Sequence, residues 1–321
     1  MTPTLPLGLQ LHILELALPP LVRRNLDERV RLCKAFSLVH RSWTKTAQRE
    51  LHEYVTVVYT QLARLDTAAQ ERIAAAKEGG WGLKRLDINL ESLASAVVWL
   101  EEGDDLGLAA IEEMWLTLHE GDSTSFGVGG LRRLHIFDVW SRGPPDLPYA
   151  SPRQLTYLAL HGISLDNRWT GMQLPSLRVL LLEDVFTAPH WPDFLPAPVE
   201  LRAFACKAFF PKLKHDTLAH MPQLRHFMAA FPTGQYAIDL WPALFDEPDA
   251  ETPPIRLPPR LQTLTCLGTS SLGALLEERT AWRTLEDACD ELGTSLNVRL
   301  ELTTRQMEDL DLEEWAYSVG A

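Results

Sequence analysis

Apolar residues follow two different rhythms along the 321 positions of this chain. From Leu5 to Tyr54 they recur at helical spacing, and from Leu83 onward they come in short groups whose first, fourth and sixth positions are apolar. The opening "LPLGLQLHILELAL" carries two stripes on a helical wheel. Leu5, Leu9, Ile13 and Leu16 share one face, and Leu7, Leu11, Leu14 and Leu18 share the opposite one, so such a helix needs cover on both sides. Pro19-Pro20 ends it, and a second helix is expected to begin near Asp27 as N-cap, presenting Val30, Cys33, Phe36 and Val39. A third stripe, Trp43, Ala47, Leu51 and Tyr54, precedes the strand-like "YVTVVY".

The second rhythm is a recurring unit: "LKRLDI" from Leu83, "IEEMWL" from Ile111, "LRRLHI" from Leu131, "LTYLAL" from Leu155 and "LRVLLL" from Leu177. It continues as "LRAFAC" from Leu201, "LRHFMA" from Leu224 and "LQTLTC" from Leu261. Starts lie 20 to 28 residues apart until the last, which follows after 37. Each unit predicts a short strand whose fourth and sixth side chains point inward, followed by a return segment; no unit can bury its apolar face alone. Turn residues such as "GVGG", "RGPPDLP" and "LPPR" fall in the returns, and the acidic, proline-rich "FDEPDAETPPI", Phe245 to Ile255, predicts a surface loop.

The repeat resembles the leucine-rich repeats. That family usually places Asn or Cys three residues after the last leucine, whereas Glu91, Val139, Ile163, Val185, Phe209, Pro232 and Thr269 stand there, so irregular rungs are expected. "SLGALLEERTAWRTLEDACDEL" predicts an amphipathic helix over 271–293, "LNVRLEL" a last strand, and the acidic "RQMEDLDLEEWAYSV" a cap on the end of the stack.

With repeats behind it, the head acquires a resemblance of its own. The order LPxxLxxxIL, a basic helix, then SLVxRxW and an alanine- and leucine-bearing helix is similar to an F-box, with His40 where the family usually has Cys. An F-box followed by leucine-rich repeats is the arrangement of substrate receptors in SCF-type cullin-RING ubiquitin ligases. The resemblance implies that Leu5, Pro6, Leu9, Ile13, Leu14, Leu38, Val39 and Trp43 pack the F-box or meet a Skp-family adaptor, and through it a cullin. The expected fold is α/β: a helical F-box-like head at 1–56, a linking helix at 57–80, an irregular leucine-rich-repeat solenoid with a helix over 271–293 at 81–304, and an acidic C-terminal tail or cap at 305–321. The alternative is a repeat scaffold for protein interactions with no ligase connection.

Charge adds a polarity. Residues 1–55 hold eight Lys and Arg against five Asp and Glu, whereas the remainder holds 22 against 38, for a total of −13. A slightly basic head on an acidic body suits an acidic partner at the head and argues against nucleic acid. The four cysteines, Cys33, Cys206, Cys266 and Cys289, have no paired spacing and suggest buried thiols. No run is long enough to cross a bilayer, so no membrane partner is expected, and a cytoplasmic or nuclear location is the default. Phosphate-loop, zinc-protease and nucleophile-elbow motifs are lacking, so neither cofactor, metal nor enzymatic activity is expected.

Outward positions on the strands are the third, fifth and seventh. Those positions make Trp115, His135, Phe137, Tyr157 and His161 neighbours on three consecutive strands, an aromatic cluster expected to bind a target protein of unknown identity. A loop or the C-terminal helix lying over the cluster would instead make it core.

Overall fold

The computed structural model describes residues 6–19, 22–59, 67–90, 111–118, 131–138, 154–162, 164–165, 174–187, 200–207, 218–232, 256–269, 272 and 280–320. The expected loop at Phe245–Ile255, the glycine-rich stretch near 127 and the adaptor candidate Leu5 lie outside these residues.

Three helices form the head: α1 (Leu7–Ala17), α2 (Leu26–Val39) and α3 (Arg41–His52). The two stripes of α1 part company. Leu14 and Leu18 are buried with Cys33 and Ala47, flanked by Leu32, Phe36, Trp43 and Leu51, and the Phe36 and Trp43 rings meet edge to face at 5.7 Å. Leu9, Ile13 and Leu16 of the other stripe face outward, as does Leu7 at the start of the helix. Helix α2 begins one residue before the expected cap: Asn25 occupies the N-cap and Asp27 sits in the first turn, where its carboxylate faces the positive end of the helix. His40 is the N-cap of α3, its Nδ1 accepting from the Ser42 amide at 3.2 Å.

Strand β1 (Tyr54–Tyr59) straddles the expected boundary of the head, and helix α4 (Thr67–Glu78) lies within the expected linking segment. The strands that follow are β2 (Arg85–Leu90), β3 (Glu113–Leu118), β4 (Arg133–Asp138), β5 (Tyr157–His161), β6 (Ser164–Leu165), β7 (Val179–Glu183), β8 (Phe186–Thr187), β9 (Ala203–Lys207), β10 (His226–Phe231), β11 (Thr263–Gly268) and β12 (Ser295–Arg299). Ten of them make one open, wholly parallel sheet in chain order, β1-β2-β3-β4-β5-β7-β9-β10-β11-β12, while β6 and β8 pair beside it. The head precedes the sheet, and α5 (Thr280–Leu292), α6 (Thr304–Glu308) and α7 (Leu312–Ser318) follow β11 in the chain.

Register explains the recurring leucines. The fourth position of every unit aligns across the sheet as Leu86, Met114, Leu134, Leu158, Leu180, Phe204, Phe227, Leu264 and Leu296. From Leu86 to Leu264 these side chains are at most 1% exposed. The sixth position aligns in the same way from Ile88 to Val298, and the leading residues from Leu83 to Leu261 are also buried. A one-residue slip of any strand would turn its leucines to the opposite face, so burial on this side fixes the pairing.

Helix α5 carries Trp282, Leu285 and Cys289 inward and stops at Gly293, whose φ of 66° is the left-handed turn that favours glycine. The chain then adds β12. Residues 302–319 differ from the expected end cap. Instead of closing the open end of the stack they run back across the other face of the sheet, and the Leu302 amide donates to Gly268 O at 3.1 Å. Met307, Leu312 and Ala316 bury themselves against Tyr157, Ala159, Val179, Leu181, Ala203, Ala205, Met228, Ala230 and Leu267. The reason is visible in the outward positions of β7, β9 and β10, which are apolar or small: water is a poor neighbour for them, and this strap covers them. The central strands are therefore buried on both faces, as parallel sheets usually are.

Candidate interaction surfaces

The head presents the first surface. Leu9 is 52% exposed, Ile13 45% and Leu16 72%, and at the turn between α2 and α3 Leu38 is 88% and Val39 65% exposed. Ser42 Oγ donates to Gln10 Oε1 at 3.0 Å and lies 2.6 Å from His40 Nδ1, which seats that turn beside the middle of α1. Pro6, also exposed, sits at the N-cap of α1. Among the adaptor candidates, Pro6, Leu9, Ile13, Leu38 and Val39 are thus open to solvent, whereas Leu14 and Trp43 belong to the head's core. So much exposed aliphatic surface on one helix and an adjacent turn is unusual for a small unit.

The second surface is the sheet face under the strap. The predicted cluster comes together: the Tyr54 and Trp115 rings meet edge to face, Trp115 and His135 stack at 5.0 Å, His135 and Tyr157 lie 4.8 Å apart, and Phe137 stacks on His161 at 4.3 Å. It is not the open patch that its strand positions led one to expect. Trp115, His135 and Tyr157 are at most 3% exposed, and only Phe137 and His161 keep partial access to solvent. Residues from the strap and the head cover them, because the flanking positions of the face are too apolar to stay wet.

Electrostatics organise this interface. His135 lies between two carboxylates, Glu313 Oε1 at 2.7 Å from Nδ1 and Glu113 Oε1 at 3.3 Å from Nε2. Burial opposes a charge on the imidazole, but Glu313 above all, with Glu113, outweighs it and raises the His135 pKa above 6.5. For Glu113 burial pushes upward, yet the His135 hydrogen bond and the Arg133 and Arg85 guanidinium groups hold its carboxyl below the usual 4.5. Those two arginines reach Glu113 at 2.9 and 3.3 Å. Further along, Lys207 Nζ donates to Glu183 Oε1 at 2.6 Å and to the strap carbonyls of Glu308 and Leu310 at 3.1 and 3.2 Å. Arg24 of the head pairs with Asp311 at 3.1 Å and with Glu314, tying head to strap.

Buried donors are left over on this face. The Tyr157 hydroxyl and Trp115 Nε1 have no hydrogen-bond partner among the described residues, a condition that costs about 1–3 kcal/mol each. Glu313 and Arg24 were not expected as contact residues, whereas Glu183 and Lys207 stand at outward strand positions. The one available signal was the spacing of Leu310, Leu312 and Trp315 in an acidic segment, which marks an amphipathic piece needing an apolar seat. Among the described residues no group of three or more His, Cys, Asp or Glu could hold a metal ion, and no helix is long and apolar enough to cross a membrane.

No family model matches the chain, and no curated protein matches it.

Proposed function

We propose that this protein is a substrate receptor of an SCF-type cullin-RING ubiquitin ligase, its F-box-like head binding a Skp-family adaptor and its leucine-rich-repeat-like body holding a target protein. One observation carries the reading: Leu9, Ile13 and Leu16 on the outer stripe of α1 stand open together with Leu38 and Val39, while Leu14 and Leu18 of the other stripe are used by the head's own core. A helix that keeps one apolar face for itself and offers the other is what docking on an adaptor requires. Exposed Arg31, Lys34, Arg41 and Lys45 on α2 and α3 favour an acidic partner there.

The succession of parallel strands in chain order, with aligned leucines at the fourth and sixth positions, supports a leucine-rich-repeat solenoid as the form of the body. The receptor performs no chemistry. It raises the local concentration of a target next to the ubiquitin-transfer machinery, as linked binding sites do.

The test is co-expression with a Skp-family adaptor followed by purification through the adaptor. A stoichiometric complex is expected with the wild-type chain, and Leu9→Asp or Ile13→Asp should abolish it without unfolding the body. A wild-type chain that leaves no complex would sink the ligase reading and leave a repeat scaffold.

A further inference from the structure

We infer that the sheet face from β4 to β10 is a binding surface for an acidic amphipathic segment of another protein, and that residues 302–319 are its resident, exchangeable occupant. The inference names the partner class of the body's surface and takes its biological sense from the receptor reading above.

The strap resembles a bound peptide more than a domain layer. Its helices α6 and α7 have five and seven residues, too short to hold without support, and their buried side chains Met307, Leu312 and Ala316 pack on the sheet. Recognition is divided by sign. The head and sheet supply Arg24, His135 and Lys207; the strap supplies the carboxylates of Asp311, Glu313 and Glu314 and the carbonyls of Glu308 and Leu310. Glu113 and Glu183 of the sheet share His135 and Lys207 with the strap, and Arg24 faces the strap carboxylates from the head. The two Lys207 bonds to main-chain carbonyls do not depend on side-chain identity, so another segment on the same path could accept them.

The seat is also imperfectly filled. The Tyr157 hydroxyl is buried in the cluster that the strap covers, with no hydrogen-bond partner among the described residues. Asp311 and Glu313 crowd each other as well: burial first, then the Glu313 charge, raises the Asp311 carboxyl above its ordinary 3.8. An incoming segment with better spaced acceptors can therefore outcompete the resident one. Its chemistry follows from the resident's own pattern, "DLEEW" at Asp311 to Trp315: a leucine and an aromatic residue three apart, with carboxylates between and before them.

The experiment uses the full chain and a fluorescein-labelled peptide of residues 301–320. Leu312→Asp loosens the resident strap, and fluorescence anisotropy then compares peptide affinity for wild type and variant, with circular dichroism and amide exchange reporting fold and strap release. The variant should stay folded and bind the peptide at least tenfold more tightly than wild type, and a Glu313→Lys peptide or a scrambled one should not bind. A variant that unfolds as a whole would overturn the inference, because the strap would then be an integral layer. So would a folded variant whose strap is released but which ignores the peptide, or equal binding to both proteins. Adaptor capture on the same samples keeps the two readings apart: a chain that fails to hold the adaptor yet exchanges the peptide defeats the receptor function alone.

Discussion

His135 Nδ1 and Glu313 Oε1 lie 2.7 Å apart although 178 positions separate them in the chain, and both side chains are almost wholly removed from water. The contact joins the fourth strand of the sheet to the strap that crosses it, so its protonation state governs how firmly the two are held.

His135 has its pKa raised on folding, so its contribution is complete below pH 6.5 and is lost as pH rises through the folded value. Glu113 has its pKa lowered, so its contribution is present above 4.5 and is lost as pH falls through the folded value. Strap docking is therefore firmest between these limits. Amide exchange over 311–318, corrected for its intrinsic pH dependence, should quicken on the alkaline side, and His135→Gln should flatten that dependence while costing about 3 kcal/mol. Identical pH profiles for wild type and variant would contradict the role given to this pair.

Arg24 tests the link between head and strap. Its side chain is 44% exposed, and its pairs with Asp311 and Glu314 sit at the rim, so Arg24→Ala should change global stability by less than about 1 kcal/mol. Amide exchange in α7 should nevertheless rise at low salt, and the difference should shrink in 1 M salt. A large shift in the unfolding midpoint would mean that the head depends on the strap for its fold.

The two stripes of α1 predict opposite responses to the same truncation. Leu14 is fully buried, so Leu14→Ala should cost about 2–5 kcal/mol in urea unfolding. Leu16 is 72% exposed, and Leu16→Ala should stay within about 0.5 kcal/mol. Comparable losses at both positions would show that the outer stripe is covered in the free protein.

Thiol titration checks the cores directly. All four cysteines are buried and free, and burial raises Cys33 and Cys289 to about 11, Cys266 to about 12 and Cys206 further still. Ellman's reagent at pH 8 should find no fast thiol in the native protein and all four in denaturant. A fast native thiol at Cys33 would place solvent inside the head.

The sheet was legible because its code is local. A leucine at the first, fourth and sixth positions is enough to state strand, face and register, and the aligned column from Leu86 to Leu264 follows from it. The two stripes of α1 could also be read, though which one would be used internally depended on where Cys33 and Ala47 arrive from α2 and α3. The covering of the aromatic cluster was less accessible. Its local sign, the run of Val179, Leu181, Ala203, Ala205, Met228 and Ala230 at positions read as outward, was present. Its partner, Glu313, lies outside the repeats, and no spacing connects it to His135. Long-range charge pairing leaves no periodic trace, which is why Arg24 and Asp311 could not be matched in advance either.

The path of the strap also dictates an order of events. Its seat is assembled from β5, β7, β9, β10 and β11, so it cannot close before strands separated by long stretches of chain have paired, and such distant contacts form slowly. Throughout that interval Tyr157, Val179, Leu181 and Met228 face the solvent as one apolar sheet surface. Refolding should consequently lose material to aggregation in proportion to protein concentration, however stable the finished molecule is.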